Sequence, residues 1–145
     1  MKPAVRFRVR RMRAGDIAGA QRIWRAVFHP RLGDTRRGIL RFLSRNPGMS
    51  SVAVSGAKVV GVILCGHDGR RGYIYRMAVD SQFRRRGIGT ALAHSAVTAF
   101  RRARVPRCIH FIGPKNLASQ AFWKQVGWKM PEDRGIMTRD IPFKR

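Results

Sequence analysis

The sequence predicts an α+β fold, a mixed α/β layer in which helices pack on a sheet. Three observations carry that expectation. Three strand-like runs follow one another closely: "SVAVS" from Ser51, "KVVGVILCG" from Lys58 and "GYIYRMAVD" from Gly72. The joints between them, "GA" and the polar "HDGRRG", suit tight turns, so the runs read as an antiparallel meander. Segments before and after this meander repeat apolar residues at helical spacing.

Taken in order, the opening "MKPAVRFRVRRMRA" is rich in arginine and free of acid, as mitochondrial transit peptides are. It lacks serine, however, and Val5, Phe7 and Val9 alternate with Arg6, Arg8 and Arg10. That period of two predicts a first strand with one buried face. Asp16 is placed to cap a helix carrying Ile17, Ala20, Trp24 and Phe28, which "HPRLGD" breaks. A shorter helix over "TRRGILRFLSR" presents Ile39, Phe42 and Leu43, and "NPG" stops it. After the meander, Ile88, Leu92, Ala96 and Ala99 mark a helix from about Gly89 to Arg104, closed by Val105-Pro106. "CIHFIG" is a further strand, "NLASQAFWKQVGW" a short helix ending at Gly127, and "GIMTRDI" a last strand. The order is β-α-α-β-β-β-α-β-α-β, and 145 residues fit one domain over 1–145.

Composition narrows the classes. With 44% apolar and 9% aromatic residues the chain is globular, not disordered. No apolar run approaches the ~18 residues that cross a bilayer, so no membrane partner is expected. Cys65 and Cys108 lie in apolar stretches and read as buried thiols of a reducing, cytoplasmic setting. No metal-ligand spacing occurs. The formal charge is +24, from 31 basic against 7 acidic residues. Such a field draws anions: nucleic acid, acidic protein segments or phosphorylated small molecules.

The stretch "DSQFRRRGIGTALAHS", Asp80 to Ser95, gives the charge a local purpose. A strand that ends in a glycine turn and opens a helix exposes unpaired backbone N–H groups at the positive end of the helix dipole. Gly87 and Gly89 lack a Cβ and let a pyrophosphate approach the backbone. Arg84, Arg85 and Arg86 repel one another until phosphate oxygens sit among them. The dinucleotide fingerprint is absent, because Leu92 stands where its third glycine belongs. A Walker A Gly-Lys-Ser/Thr is also missing. "RRRGIG" does fit Arg-x-x-Gly-x-Gly from Arg84; a solvated basic turn capping a helix is the alternative.

With these motifs in order, the chain resembles the GCN5-related N-acetyltransferase (GNAT) family over nearly its whole length. "YRMAVDSQFRRRGIGTAL" is similar to that family's acetyl-CoA pyrophosphate motif, and "NLASQAFWKQVGW" to its second signature. The hairpin "GVILCGHDGRRGYIY" further resembles a subgroup of small bacterial acetyltransferases. The resemblance implies a twisted, mostly antiparallel sheet with helices on both faces and strands 4 and 5 splayed. It also implies acetyl-CoA as co-substrate and no metal. Backbone amides from Arg84 through Gly87, Ile88, Gly89 and Thr90 would hold the pyrophosphate. The backbone of Met77, Ala78 and Val79 would pair with the pantetheine arm, one N–H facing the thioester oxygen. Met77 and Val79 are equally readable as core packing. Asn116 would hydrogen-bond the pantetheine or order its loop.

The implied reaction is direct attack of an amine on the thioester in a ternary complex. Many family members place a tyrosine as general acid at the second aromatic position of the short helix, where this chain has Trp123. An indole N–H donates a hydrogen bond but does not give up its proton. Trp123 is then expected to pack against the pantetheine arm, and the thiol, with a pKa near ~8.5, to leave unaided. Tyr75, on one side of a strand with Tyr73, is the candidate substitute acid, against a filler role. For a base, His110 in "CIHFIG" is the candidate, against a core histidine. His67 and Asp68 suit turn chemistry, and Glu132 and Asp133 a solvated loop.

The acceptor is expected to be an amine on an acidic or phosphorylated molecule, not a polycation. Exposed edge strands leave room for a homodimer. The alternatives are a catalytically weak coenzyme A binder and a basic nucleic-acid-binding module; no helix-turn-helix, zinc finger or aromatic-interleaved sheet supports the latter.

Overall fold

The computed structural model describes residues 4–28, 33–135 and 139. The expected last strand over "GIMTRDI" and most of "HPRLGD" lie outside the described residues. The chain divides into two compact units, Met1–Phe111 and Ile112–Arg145.

The first unit is built on a five-stranded sheet of order β1-β2-β3-β4-β5. β1 (Arg8–Arg11), β2 (Ser51–Ser55), β3 (Lys58–His67) and β4 (Gly72–Val79) pair antiparallel in sequence, and β5 (Cys108–His110) joins β4 in parallel. β1 starts later than the Val5–Phe7–Val9 alternation predicts. Its ladder to β2 begins with Arg8 opposite Val54, one residue short of the end of β2 at Ser55.

Two bulges decide which side chains face which helices. β3 inserts Val60 opposite the Ala53/Val54 step, and β4 inserts Tyr75 opposite the Leu64/Cys65 step. An extra residue reverses the in–out alternation beyond it. On one face, Val52, Val54, Val59, Val62, Leu64 and Ala78 therefore join α1 (Ile17–Val27) and α2 (Arg36–Arg45) in one core. On the other, Gly61 lies so close to α3 (Ile88–Arg102) that a Cβ there would meet Ile88 Cγ2 at 2.9 Å. Ile88, Leu92, Ala96 and Phe100 of that helix are all buried. Helices thus cover both faces of a mostly antiparallel sheet.

Asp16 does not cap α1 with its side chain as expected. Its carboxylate accepts the Arg13 N–H at 2.8 Å and two N–H bonds of Arg10 at 2.8 Å, tying the end of β1 to a short 3₁₀ turn that leads into the helix. Thr35 caps α2 by accepting the Gly38 N–H at 3.1 Å. α3 begins at Ile88 and stops at Arg102, two residues early, because Arg104 takes a left-handed φ of 56°.

In the second unit α4 (Leu117–Gln125) is capped by Asn116, whose carboxamide oxygen accepts the Ser119 N–H at 3.1 Å. Gly127, at φ 101°, ends it as the glycine predicted.

Candidate active site

β4 delivers the chain to the site. The Asp80 N–H donates to the Val60 oxygen at 2.8 Å, so Asp80 lies in a hydrogen-bonded pair with β3. Antiparallel alternation then turns Ala78 and Arg76 toward β3 as well, and directs the main-chain groups of Met77 and Val79 to the opposite edge. β5 pairs with β4 only along Gly72–Ile74, where Ile74 faces His110. Met77 and Val79 lie beyond that stretch, at the expected splay. The Val79 oxygen accepts from Arg84 Nε at 3.3 Å, which confirms the outward direction.

Asp80 then fixes the exit from the strand. Its carboxylate accepts the Gln82 N–H at 3.0 Å and meets Arg22 Nη1 at 3.0 Å and Lys58 Nζ at 3.6 Å. Burial opposes ionisation, but the Gln82 N–H and the two cations outweigh it and hold this carboxyl below the usual range. Arg22 also donates to the Val59 oxygen at 2.8 Å, so α1 braces the strand end.

The arginine turn follows. Arg85 sits at φ 64° and Gly87 at φ 82°, two left-handed residues that curl the backbone before α3. The first helical bond runs from the Ala91 N–H to the Gly87 oxygen at 3.0 Å. The N–H groups of Ile88, Gly89 and Thr90 therefore have no acceptor within the helix and point out of its N-terminus. Such a curled run of amides on a 15-residue helix dipole is an anion cradle. Around it, Arg84 and Arg85 are exposed, and Arg86 lies half-buried over the Phe83 ring at 5.7 Å. Arg86 Nε is buried without a hydrogen-bond partner. The residues suit a diphosphate: open amides begin a helix directly after three arginines, and Gly87 and Gly89 add no Cβ beside them. Ile88, 1% exposed, gives the cradle its backbone and anchors the turn with its side chain.

His110 stands at the fork of β4 and β5. Its Nδ1 lies 3.1 Å from the Ile74 oxygen. A carbonyl only accepts, so Nδ1 carries the proton and Nε2 is the basic nitrogen of the neutral ring. Burial, partly offset by the Ile74 contact, lowers the pKa below the ordinary histidine value. Tyr75 is pushed the other way, by burial first and then by Tyr73 and Asp68, and stays a phenol.

His67 and Asp68 do turn chemistry. His67 Nδ1 accepts the Gly69 N–H at 3.0 Å, and Asp68 Oδ1 accepts the Arg70 and Arg71 N–H groups, both at 2.8 Å. Glu132 and Asp133 are exposed, and Asp133 pairs with Arg134. In the second unit, Trp123 is 2% exposed and meets Phe122 and Trp128 edge-on at 5.3 and 5.2 Å. The strand end, the arginine turn and His110 all belong to the first unit, with His110 at the point where β5 leaves β4, while Asn116 and Trp123 belong to the second.

Sequence reasoning missed Arg76 and Asp34. Arg76 is 6% exposed, lies 4.6 Å over the Phe28 ring, and forms a short ion pair with Asp34 ahead of α2. A charged residue between apolar neighbours in mid-strand was the available signal, since a buried charge needs a partner.

A profile of the acetyltransferase (GNAT) family matches residues 18–128. N-alpha-acetyltransferase 30 of Xenopus laevis is 43% identical over 63 residues, 40% of this chain and 23% of that protein. Acetyltransferase ECA0875 of Pectobacterium atrosepticum is 33% identical over 86 residues, 58% of this chain and 60% of that protein. In both cases the alignment covers less than two thirds of the relative's length. Among solved structures, Ard1 from Thermoplasma volcanium superposes with a TM-score of 0.79 at 24% identity, over 88% of this chain and 85% of that one. That likeness establishes the fold, and the profile, spanning most of the sequence, establishes that this chain belongs to the acetyltransferase (GNAT) family.

Proposed function

We propose that the protein is an acetyl-CoA-dependent N-acetyltransferase that passes the acetyl group directly to an amine in a ternary complex. The observation that carries this reading is the row of open amides at the start of α3, set beside a strand end that β5 does not cover. The cradle would hold the coenzyme's diphosphate, with Arg84, Arg85 and Arg86 around it. The pantetheine arm would run along the outward main-chain groups of Met77 and Val79. Ala78, whose N–H faces β3, would contribute strand geometry and no ligand bond.

Met77 N–H is the oxyanion donor of choice, since it points into the fork. A preorganised donor of this kind is worth roughly 3–4 kcal/mol. His110 Nε2 would take a proton from the acceptor's ammonium, directly or through water, and the neutral amine so formed would attack the thioester carbon. Its lowered pKa keeps it neutral at pH 7, as a base must be. Tyr75 is a poor acid for the departing thiolate, because its raised pKa lies above the ~8.5 of a thiol. Coenzyme A would leave as the thiolate. Asn116, already capping α4, would order the loop ahead of that helix, and Trp123 would serve its own aromatic cluster.

The acceptor would be neutral or anionic apart from its amine. Of the six described acids, Asp16, Asp34, Asp80 and Asp133 each pair with an arginine, Asp68 closes a turn, and Glu132 lies exposed in the second unit. Little is left to hold a polycation. Two free cysteines fit a reducing cytosol. No helix among the described residues is long and apolar enough to cross a membrane.

Isothermal titration with acetyl-CoA, followed by thiol release against a panel of amines, tests the reading. Saturable heat and turnover are expected. No heat would end it, and binding without turnover on any amine would reduce the protein to a coenzyme A binder.

A further inference from the structure

Four aromatic rings line the face of β4 and β5 opposite α3. Phe42 of α2 meets Tyr75 edge-on at 5.4 Å, Tyr75 lies 5.8 Å from Tyr73, and Tyr73 stacks on Phe111 at 6.4 Å with only 20° between the planes. A sheet face of this kind ordinarily lies under a helix. Here Tyr75 and Phe111 remain 48% and 49% exposed. Large exposed rings in a row mark a surface that receives something.

Their position in the register is the second observation. Ile74 and His110 are the last residues paired between β4 and β5. Tyr75 is the next residue on one strand and Phe111 the next on the other. The two exposed rings therefore flank the mouth of the fork, one on each side. The bulge at Tyr75 is what turns its ring to the same face as Tyr73. The anion cradle belongs to α3, on the opposite face, so an acceptor meeting the thioester inside the fork enters across these rings.

The chemistry of the rim limits what enters. Two acids stand by this rim: Asp68, whose charge reaches Tyr75, and Asp34, held by Arg76, the neighbour of Tyr75. Asp68 is occupied by the Arg70 and Arg71 amides. The rings offer flat apolar area and, at their faces, a weak attraction for an ammonium group.

We propose that Tyr75 and Phe111, backed by Tyr73 and Phe42, are the acceptor subsite and select amines that carry a large apolar or aromatic group next to the reacting nitrogen. This rests on the acetyltransferase reading above and adds to it the class of acceptor. Tyr75 acts here as a ring and not as an acid.

The test compares phenylalaninamide, alaninamide and spermine as acceptors, with the peptides Phe-Ala-Ala-Ala and Ala-Ala-Ala-Ala as a second arm. Burying one phenyl group predicts kcat/KM at least about tenfold higher for phenylalaninamide than for alaninamide. Preference shown by the peptide pair alone assigns the subsite to a chain terminus; preference shown by both pairs assigns it to amines generally. In Phe111→Ala and Tyr75→Ala the ratio falls toward one through KM, and in Tyr75→Phe it stays. The acetyl-CoA dissociation constant of each variant serves as the folding control. Equal use within both the amide pair and the peptide pair by the wild type, a preference for spermine, or a ratio unchanged in both alanine variants overturns the proposal while leaving acetyl transfer standing. Should no amine turn over, the same ratio is read from dissociation constants measured with coenzyme A present, and equality again overturns it.

Discussion

Two turns of this molecule are written in nearly the same letters. "HDGRRG" joins β3 to β4, and "RRRGIG" joins β4 to α3; each combines consecutive arginines with a left-handed glycine, Gly69 at φ 90° and Gly87 at φ 82°. They differ in one acid. In the first, Asp68 accepts the Arg70 and Arg71 amides, so the turn satisfies its own donors. In the second no carboxylate is present, and α3 leaves the amides that follow Gly87 without acceptors. Basic composition therefore does not make an anion site. Main-chain donors left open at a helix start do.

The difference can be broken most sharply at the two glycines. Gly87→Val and Gly69→Val impose the same conformational strain, of order 1–2 kcal/mol. Gly87→Val should weaken acetyl-CoA binding about a hundredfold or more, read by titration calorimetry, while Gly69→Val lowers the melting temperature and leaves affinity unchanged. Equal losses of affinity would mean that strain, not the cradle, was measured.

Two histidines, one in the hairpin turn and one at the fork of β4 and β5, give the next largest effect. His67 Nδ1 accepts a hydrogen bond from the Gly69 amide, whereas His110 Nδ1 must donate one to the Ile74 oxygen, so the two rings carry opposite tautomers. His110→Asn should lower kcat by about a hundredfold or more, within the range for a lost general base. His67→Asn should leave it near wild type. Because burial depresses the His110 pKa, the base stays neutral as pH falls past ~6.5 and is lost only below that value. The acid limb of the wild-type rate profile should bend below 6.5 and vanish in His110→Asn. The same depression means that the unfolded chain takes up this proton first, so stability declines as pH drops below ~6.5.

A smaller effect comes from supplying the missing acid. Arg85→Asp puts a carboxylate, in a residue tolerant of the left-handed region, among the open amides. It should weaken acetyl-CoA roughly tenfold at low salt, with the deficit shrinking as salt screens the charge. Arg70→Asp should change nothing in binding. The smallest effect belongs to Asp68→Ala, which opens the donors of the hairpin: a slightly lower melting temperature and no new affinity for diphosphate, since no helix dipole stands behind those amides.

Much of this was legible in the sequence because it is local. The meander, the strand–glycine–helix junction and the glycine that ends α4 rest on neighbours a few residues apart, and they appear where the patterns put them. What was illegible depends on partners far along the chain. The bulge at Tyr75 follows from its register with Leu64 and Cys65, and it alone brings Tyr75 and Arg76 to one face. Asp16 looked like a helix cap until Arg10, across the end of β1, claimed it. The tautomer of His110 needs Ile74, which lies 36 residues away. Arg76 was passed over because the phenylalanine beneath it and its aspartate lie at the end of another helix and beyond it.

The central claim is that the amides opening α3 hold the diphosphate of the coenzyme. Backbone amide shifts in an NMR titration with coenzyme A read those atoms one by one. The account predicts large, saturable shifts at Ile88, Gly89 and Thr90 with Arg70 and Arg71 unmoved. Shifts confined to arginine side chains, or spread equally over both turns, would contradict it.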